Sequence, residues 1–275
     1  MVEQKILRNL IVIGRAAPDE IKDGRKTLCV GAWSNDDGFI RIYPTTLLSN
    51  LKRWNEVDVP VERNPQDSRE ESWKIQGSKD EWENLHKKLK WNRKLDRDEQ
   101  LQLLDVIPKT NCVEDLNQSK KSLGLIIPSE ILDWELVKRK DYDPSVQTSL
   151  DEFFREDLEI RGKVMKILTK RNYKYVPMIK WKCGGPCKLK QGFHYMQILD
   201  WEVYEWLRKH LNSKSEMMKV FDNLRLRDPE YNKWFFVGNQ NRHRKSFMII
   251  SALRFKKSVK RRKKKTGESS LDDFF

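Results

Sequence analysis

The sequence predicts an α+β, mostly β fold: small barrels with helical insertions and a disordered basic C-terminal tail. Three observations predict it. Short runs rich in Val, Ile, Leu, Phe and Trp recur along the chain, bounded by Gly, Pro, Asn or Asp. Charged stretches between them place apolar residues at helical spacing instead. Residues 256–265 carry eight positive charges and almost nothing apolar, a composition that stays solvated.

The elements follow in order. Residues 8–14 read as a buried strand and 27–33 as a second. Asn35-Asp36-Asp37-Gly38 is a turn signal before Phe39-Ile40-Arg41-Ile42-Tyr43, which alternates, so 27–43 is a hairpin. Residues 56–63 add a strand, and Pro60 argues for a sheet edge. Residues 79–104 are highly charged, with Trp82, Leu85 and Leu89 at helical spacing, and read as a helical insertion. Residues 123–136 return to an ordered pattern. These bounds give an N-terminal β domain over 1–137 and a polar loop over 138–157. A C-terminal β/α domain over 158–255 follows, then the tail from 256 to 275. Within the third unit, Leu158–Val164 and Pro177–Trp181 read as strands, 198–212 as a helix with Asp200 near its start, and 234–238 and 247–253 as a strand pair. Ile-Leu-Asp-Trp-Glu occurs at 131–135 and at 198–202, but the flanks differ, so it marks no duplication.

Composition bounds the class of function. The 275 residues are 38% hydrophobic and 35% charged, so the core is modest, and ten tryptophans supply much of it. No apolar run reaches membrane-spanning length and the start lacks a secretory signal, so no membrane partner is expected. Four cysteines do not form a secreted disulfide framework and point to a reducing compartment. That is the cytoplasm, nucleoid-associated, in an archaeon, or the nucleus in a eukaryote. Net charge is +14, and +9 remains on residues 1–255 once the basic run and the acidic last ten residues are set aside. The body is basic in its own right, which points to DNA, single-stranded if the barrels bind it. Arg242, Arg244 and Lys245 in the hairpin loop, with Lys260, Arg261, Arg262, Lys263, Lys264 and Lys265 in the tail, are the candidate nucleic-acid contacts.

Leu28–Ala32, Gly38–Pro44 and Asp67–Trp73 resemble a family of microbial proteins with a dual OB-fold domain. So do His194 with Asp200-Trp201-Glu202, and Phe235–Gly238 with Met248–Ile250. The resemblance covers roughly 8–73 and 123–255. It implies OB-like barrels, and such barrels often bind single-stranded nucleic acid on a basic, aromatic face. It also leaves open a nucleic-acid-binding module of a mobile-element or defence system.

Two constellations carry chemistry. Cys183-Gly-Gly-Pro-Cys187 followed by His194 can turn two thiolates and an imidazole toward one zinc, with Cys112, His210, His243 or Asp200 open as fourth ligand. Asp200, Glu202 and Glu205 read as acids at a helix start rather than as a nuclease cluster, although a clamp-tethered metal-dependent nuclease stays the enzymatic alternative. The second constellation is Gln147, Leu150, Phe153 and Phe154. It matches the Gln-x-x-hydrophobic-x-x-aromatic-aromatic peptide that binds the sliding clamp (PCNA). Glu268 to Phe275 repeats the pattern with Glu268 in place of the Gln and with Leu271, Phe274 and Phe275 as anchors. A replication or repair accessory factor is the expected role.

Overall fold

The computed structural model describes residues 2–21, 23–47, 49–140, 142 and 169–257. The N-terminal part forms β1 (Gln4–Arg15), β2 (Asp19–Glu20), β3 (Lys26–Ser34), β4 (Gly38–Thr45), β5 (Asn55–Arg63), β6 (Ser72–Ile75) and β7 (Lys90–Lys94). β1, β3, β4, β6 and β5 pair in that order and β5 returns to β1, which closes a five-stranded barrel. Its third and fifth strands, β4 and β6, run parallel, and its other pairs are antiparallel. This order, 1-2-3-5-4-1, is that of an OB barrel. The predicted hairpin is present: Ser34 faces Gly38 across the turn, and Trp33 Nε1 donates to Asn35 Oδ1 at 3.0 Å. Alternate residues of β5 face the core, with Val57, Val59 and Val61 fully buried.

Two expectations for this part are corrected. β5 is a central strand, paired with β1 on one side and with β6 and β7 on the other. Pro60 fits there because β7 pairs only up to Asp58 and β6 only from Val61. Its missing N–H therefore falls in the gap between the two partners, while its carbonyl accepts from Gln76 N at 3.0 Å. Residues 79–104 are not one helix. Trp82–Lys88 is a 3-10 turn whose Trp82 and Leu85 are buried, Lys90–Lys94 is β7, and α1 (Arg97–Val106) starts only after Asp96. Asp96 closes a capping box: it accepts from Glu99 N, and Glu99 accepts from Asp96 N.

The remainder holds α2 (Val113–Gln118), β8 (Leu123–Ile126), β9 (Pro128–Lys138), β10 (Tyr175–Cys183), β11 (His194–Gln197), α3 (Trp201–Lys209), α4 (Lys214–Asn223), β12 (Tyr231–Asn239) and β13 (Phe247–Lys256). Two three-stranded sheets result, β11-β10-β9 and β13-β12-β8. They are joined twice. β8 runs into β9 through Ile127, and a parallel bridge links Ile198, just past β11, to Ile249 in β13. Taking β8 and β9 as one bent strand, the order is again 1-2-3-5-4-1, with α3 and α4 between the third and fourth strands. The strands over 123–138 therefore belong with the C-terminal ones, since their partners are Tyr175–Cys183 and Phe235–Gly238. The predicted helix over 198–212 is shorter, and α4 follows it. Leu158–Val164 lies outside the described residues.

The barrels share a face. Phe236 of β12 lies against Gly31, where an added Cβ would stand 2.1 Å from its ring, and against Phe39, with ring centroids 5.6 Å apart. Arg41, 3% exposed, donates to Ser122 O at 2.9 Å, and Arg69 donates to Asn239 O at 2.9 Å. The outer face of the first barrel's second and third strands is thus covered by the second barrel.

Candidate metal centre and nucleic-acid interface

Cys112, Cys183, Cys187 and His194 bring their ligand atoms within 4.8 Å of one another. His194 Nε2 lies 3.0 Å from Cys183 Sγ and 3.5 Å from both Cys112 Sγ and Cys187 Sγ. Each ligand is placed by a different element. Cys112 is the residue before α2, and its backbone N–H donates to Asp115 Oδ2 at 3.1 Å. Cys183 ends β10, where its carbonyl accepts from Ser129 Oγ at 2.6 Å. His194 opens β11 opposite Trp181, whose ring lies 5.0 Å from the imidazole. The turn to Cys187 starts at Gly184, where a Cβ would meet the Ile127 carbonyl oxygen at 2.8 Å, so only glycine passes there without a shift.

Two members of the cluster are shifted toward their uncharged forms. Burial pushes the Cys183 thiol up, and the neighbouring Cys112 and Cys187 push it further. Burial also pushes the His194 imidazole down. Both shifts favour the uncharged forms of Cys183 and His194, and a neutral imidazole is the form that ligates. A divalent cation bound there would supply the positive charge that stabilises thiolates. Three of the four groups are buried, and the cluster could hold a metal ion. Cys29 stands apart from it, accepting from Arg41 Nη1 at 3.1 Å.

The other sequence-derived ligands are engaged elsewhere. Asp200 caps α3 and accepts from Glu202 N at 2.9 Å, Ala252 N at 3.0 Å and Arg53 Nη1 at 3.3 Å. Glu202 pairs with Arg53, and Glu205 with Arg208, so these three acids do not form an open cluster. His210 Nδ1 donates to Trp206 O at 2.7 Å, and His243 is exposed in the β12–β13 loop. Cys112 was one of four open possibilities in sequence. Nothing local distinguishes it, because it comes to the site from 71 residues before Cys183.

Arg242, Arg244 and Lys245 are all exposed in the loop joining the fourth and fifth strands of the second barrel. That loop is anchored to the first barrel: Asn241 Nδ2 donates to Gln66 O at 2.8 Å and Arg244 Nη2 to Ser68 Oγ at 2.7 Å. Unlike its counterpart, the outer face of the second barrel's second and third strands is left partly exposed by the described residues. Tyr195 there is 46% exposed and Lys180 lies over the Phe193 ring at 4.0 Å. They line a cavity of about 300 Å³ with Asp133, Trp134 and Glu135. The acids on this face are partnered. Glu135 accepts from Tyr195, Glu130 from Lys182, and Asp133 pairs with Arg227. This aromatic face had no clear signal in sequence, since Phe193 and Tyr195 flank the ligand His194 and are otherwise unremarked. Lys260, Arg261, Arg262, Lys263, Lys264 and Lys265 lie outside the described residues, as do Gln147, Leu150, Phe153, Phe154, Leu271, Phe274 and Phe275. No helix among the described residues is long and apolar enough to cross a membrane.

Two family models match the chain. Residues 7–103 match the domain of unknown function DUF8758, and residues 105–269 match the domain of unknown function DUF8757. The second match spans more than half of the sequence, so the chain belongs to the DUF8757 family. No curated protein and no solved structure matches the chain.

Proposed function

We propose that this DUF8757 family member is an accessory factor of DNA replication or repair. In this reading it binds single-stranded DNA on its second barrel and docks on the sliding clamp (PCNA) through short aromatic peptides. The observation that carries the DNA reading is the asymmetry of the two barrels. OB barrels bind oligonucleotides on the face of strands two and three, flanked by the 1–2 and 4–5 loops. In the first barrel Phe236 and Arg41 close that face. In the second barrel the described residues leave it partly exposed, with Tyr195 at the surface and the half-buried Phe193 ring covered on one face by Lys180. Its 4–5 loop carries Arg242, Arg244 and Lys245, and its 1–2 loop carries Lys188 and Lys190. The clamp reading rests on the two peptide patterns in the sequence.

The ion in this proposal is zinc, and its role is structural. Bonds of ~2.3 Å to sulfur and ~2.0 Å to nitrogen at tetrahedral angles put neighbouring ligand atoms about 3.5–3.8 Å apart. The three nitrogen-to-sulfur separations, 3.0 to 3.5 Å, reach that range or fall just short of it, and no pair of ligand atoms is more than 4.8 Å apart. Four protein ligands leave no open position for a substrate. Such an ion would pin the 1–2 loop of the second barrel to α2, the helix after the first barrel.

Fluorescence anisotropy with labelled single strands, duplex and RNA over a salt series tests the DNA reading. Single-stranded DNA should bind best, with log affinity falling by about 0.7 per phosphate contact for each unit of log salt. Replacing Arg242, Arg244 and Lys245 by Ala should weaken binding and flatten that slope. Absence of binding at low salt would end the proposal, and binding to RNA alone would favour the mobile-element or defence module.

A further inference from the structure

A second basic, aromatic cleft lies on the first barrel, away from its sealed face. It is formed by Asn50, Lys52 and Arg53 on the segment leading into β5, by Asn55 at the start of β5, and by Trp91 and Lys94 on β7, and holds about 400 Å³. Among the described residues β7 pairs only with β5, so it lies at the edge of the described sheet. Lysines on an edge strand commonly serve to block pairing, but that does not require a tryptophan 51% exposed in their midst. Trp91 is among the few large apolar side chains exposed to that extent. Lys52 and Lys94 are exposed, and neither has a carboxylate partner among the described residues. Arg53 is different: Asp200, Ser251 and Glu202 hold its guanidinium in place, so it fixes the cleft wall instead of reaching for a ligand.

The surroundings are positive. Burial pushes the Arg254 guanidinium down, and so does nearby Arg53, and Lys233 is pushed down by burial and by Lys257. Arg97, two residues after Leu95, donates to Lys256 O at 3.4 Å, so β13 ends beside the start of α1. The sequence then continues directly into the basic run that reaches Lys265. Lys52 and Lys94 beside an exposed indole fit a polyanion with a stackable ring.

We propose that this cleft is a subsite for one nucleotide of a single DNA strand, its base stacked on Trp91 and its flanking phosphates on Lys52 and Lys94. It rests on the reading that the protein binds single-stranded DNA, and it adds a contact on the first barrel. The test uses the full chain and oligo-dT, with Trp91→Ala, Trp91→Phe and the pair Lys52→Gln/Lys94→Gln. All three positions are on the surface, so unchanged melting is expected and is measured alongside. Trp91→Ala should weaken binding about 5- to 100-fold, the range for one stacked base, and Trp91→Phe should restore most of it. The lysine pair should lower the slope of log affinity against log salt by about 1.4. If wild type binds and these variants bind within twofold of it, the cleft is not a subsite and the second-barrel reading stands. If wild type binds no single-stranded DNA, both fall. If the variants lose binding to an acidic peptide and not to oligo-dT, the cleft serves a protein partner and the proposal is wrong.

Discussion

Cys112 and His194, 82 positions apart in the chain, bring Sγ and Nε2 to 3.5 Å. That contact ties the segment between the barrels to the second barrel, and metal binding should therefore report on the whole C-terminal half. Purified protein should carry one zinc by mass spectrometry under native conditions. Cys112→Ser should lower the affinity as much as Cys183→Ser does. An ion held at a thousandfold excess over its Kd stabilises by about 4 kcal/mol, so a chelator should lower the melting temperature markedly. Unchanged melting after chelation, with no zinc in the purified protein, would remove the site.

Gly31→Ala tests how closely the barrels are packed. The new Cβ would stand 2.1 Å from Phe236 Cε1, and Phe236 is fully buried. The ring has nowhere to retreat without displacing the second barrel. Overpacking of this kind costs about 1–3 kcal/mol. The loss should show in chemical denaturation, and Phe236→Leu in the same chain should recover part of it. A neutral Gly31→Ala would mean that the barrels move apart freely.

Acid should act on the contact between the barrels through Asp67. Burial alone would raise this carboxyl, but the Arg69 guanidinium, whose Nε donates to Asp67 at 2.8 Å, more than reverses that and holds it below its ordinary value. A depressed folded-state value means that the contribution is complete above the unfolded value of about 3.9 and is lost as pH falls through the folded one. Wild type should thus lose more stability below about pH 4 than Asp67→Asn does. At neutral pH, Arg69→Met should cost about 3–5 kcal/mol, because it strands a buried carboxylate and frees the Asn239 carbonyl. Equal acid sensitivity of wild type and Asp67→Asn would contradict this.

Much of this was legible in sequence where the signal is local. The Asn35–Gly38 turn and the alternation on either side of it define a hairpin without help from the rest of the chain. The Gly-Gly-Pro link between Cys183 and Cys187 likewise announces a knuckle. What failed was whatever depends on distant partners. Trp82, Leu85 and Leu89 have helical spacing, yet Lys90–Lys94 finds backbone partners in Asn55–Asp58 and becomes a strand. Pro60 looks like an edge residue until one knows that two partner strands divide around it. Residues 123–138 precede the loop and so read as part of the first unit, although their hydrogen bonds go to strands 37 or more residues later. The stacking face of Phe193 and Tyr195 and the Trp91 cleft are surface arrangements, and no periodicity records them.

The last prediction concerns the clamp. Leu271, Phe274 and Phe275 form one apolar triplet at helical-turn spacing, and Leu150, Phe153 and Phe154 form another. A leucine and two aromatics that together fill one pocket are the kind of anchor whose truncation costs on the order of 2–4 kcal/mol each. A ring-shaped clamp presents several equivalent pockets, and the two peptides are on one chain. Engagement of both would raise avidity by about 10²-fold over either alone, if their separation matches the spacing of the pockets. Calorimetry against the clamp of the same organism separates the cases. Wild type should bind more tightly than Phe274→Ala/Phe275→Ala and more tightly than Phe153→Ala/Phe154→Ala, and the combined variant should not bind. If only the terminal pair matters, the internal triplet packs within the protein and the two-site proposal fails. If wild type gives no heat of binding at micromolar concentrations, the protein does not dock on the clamp, and the replication or repair role loses its support.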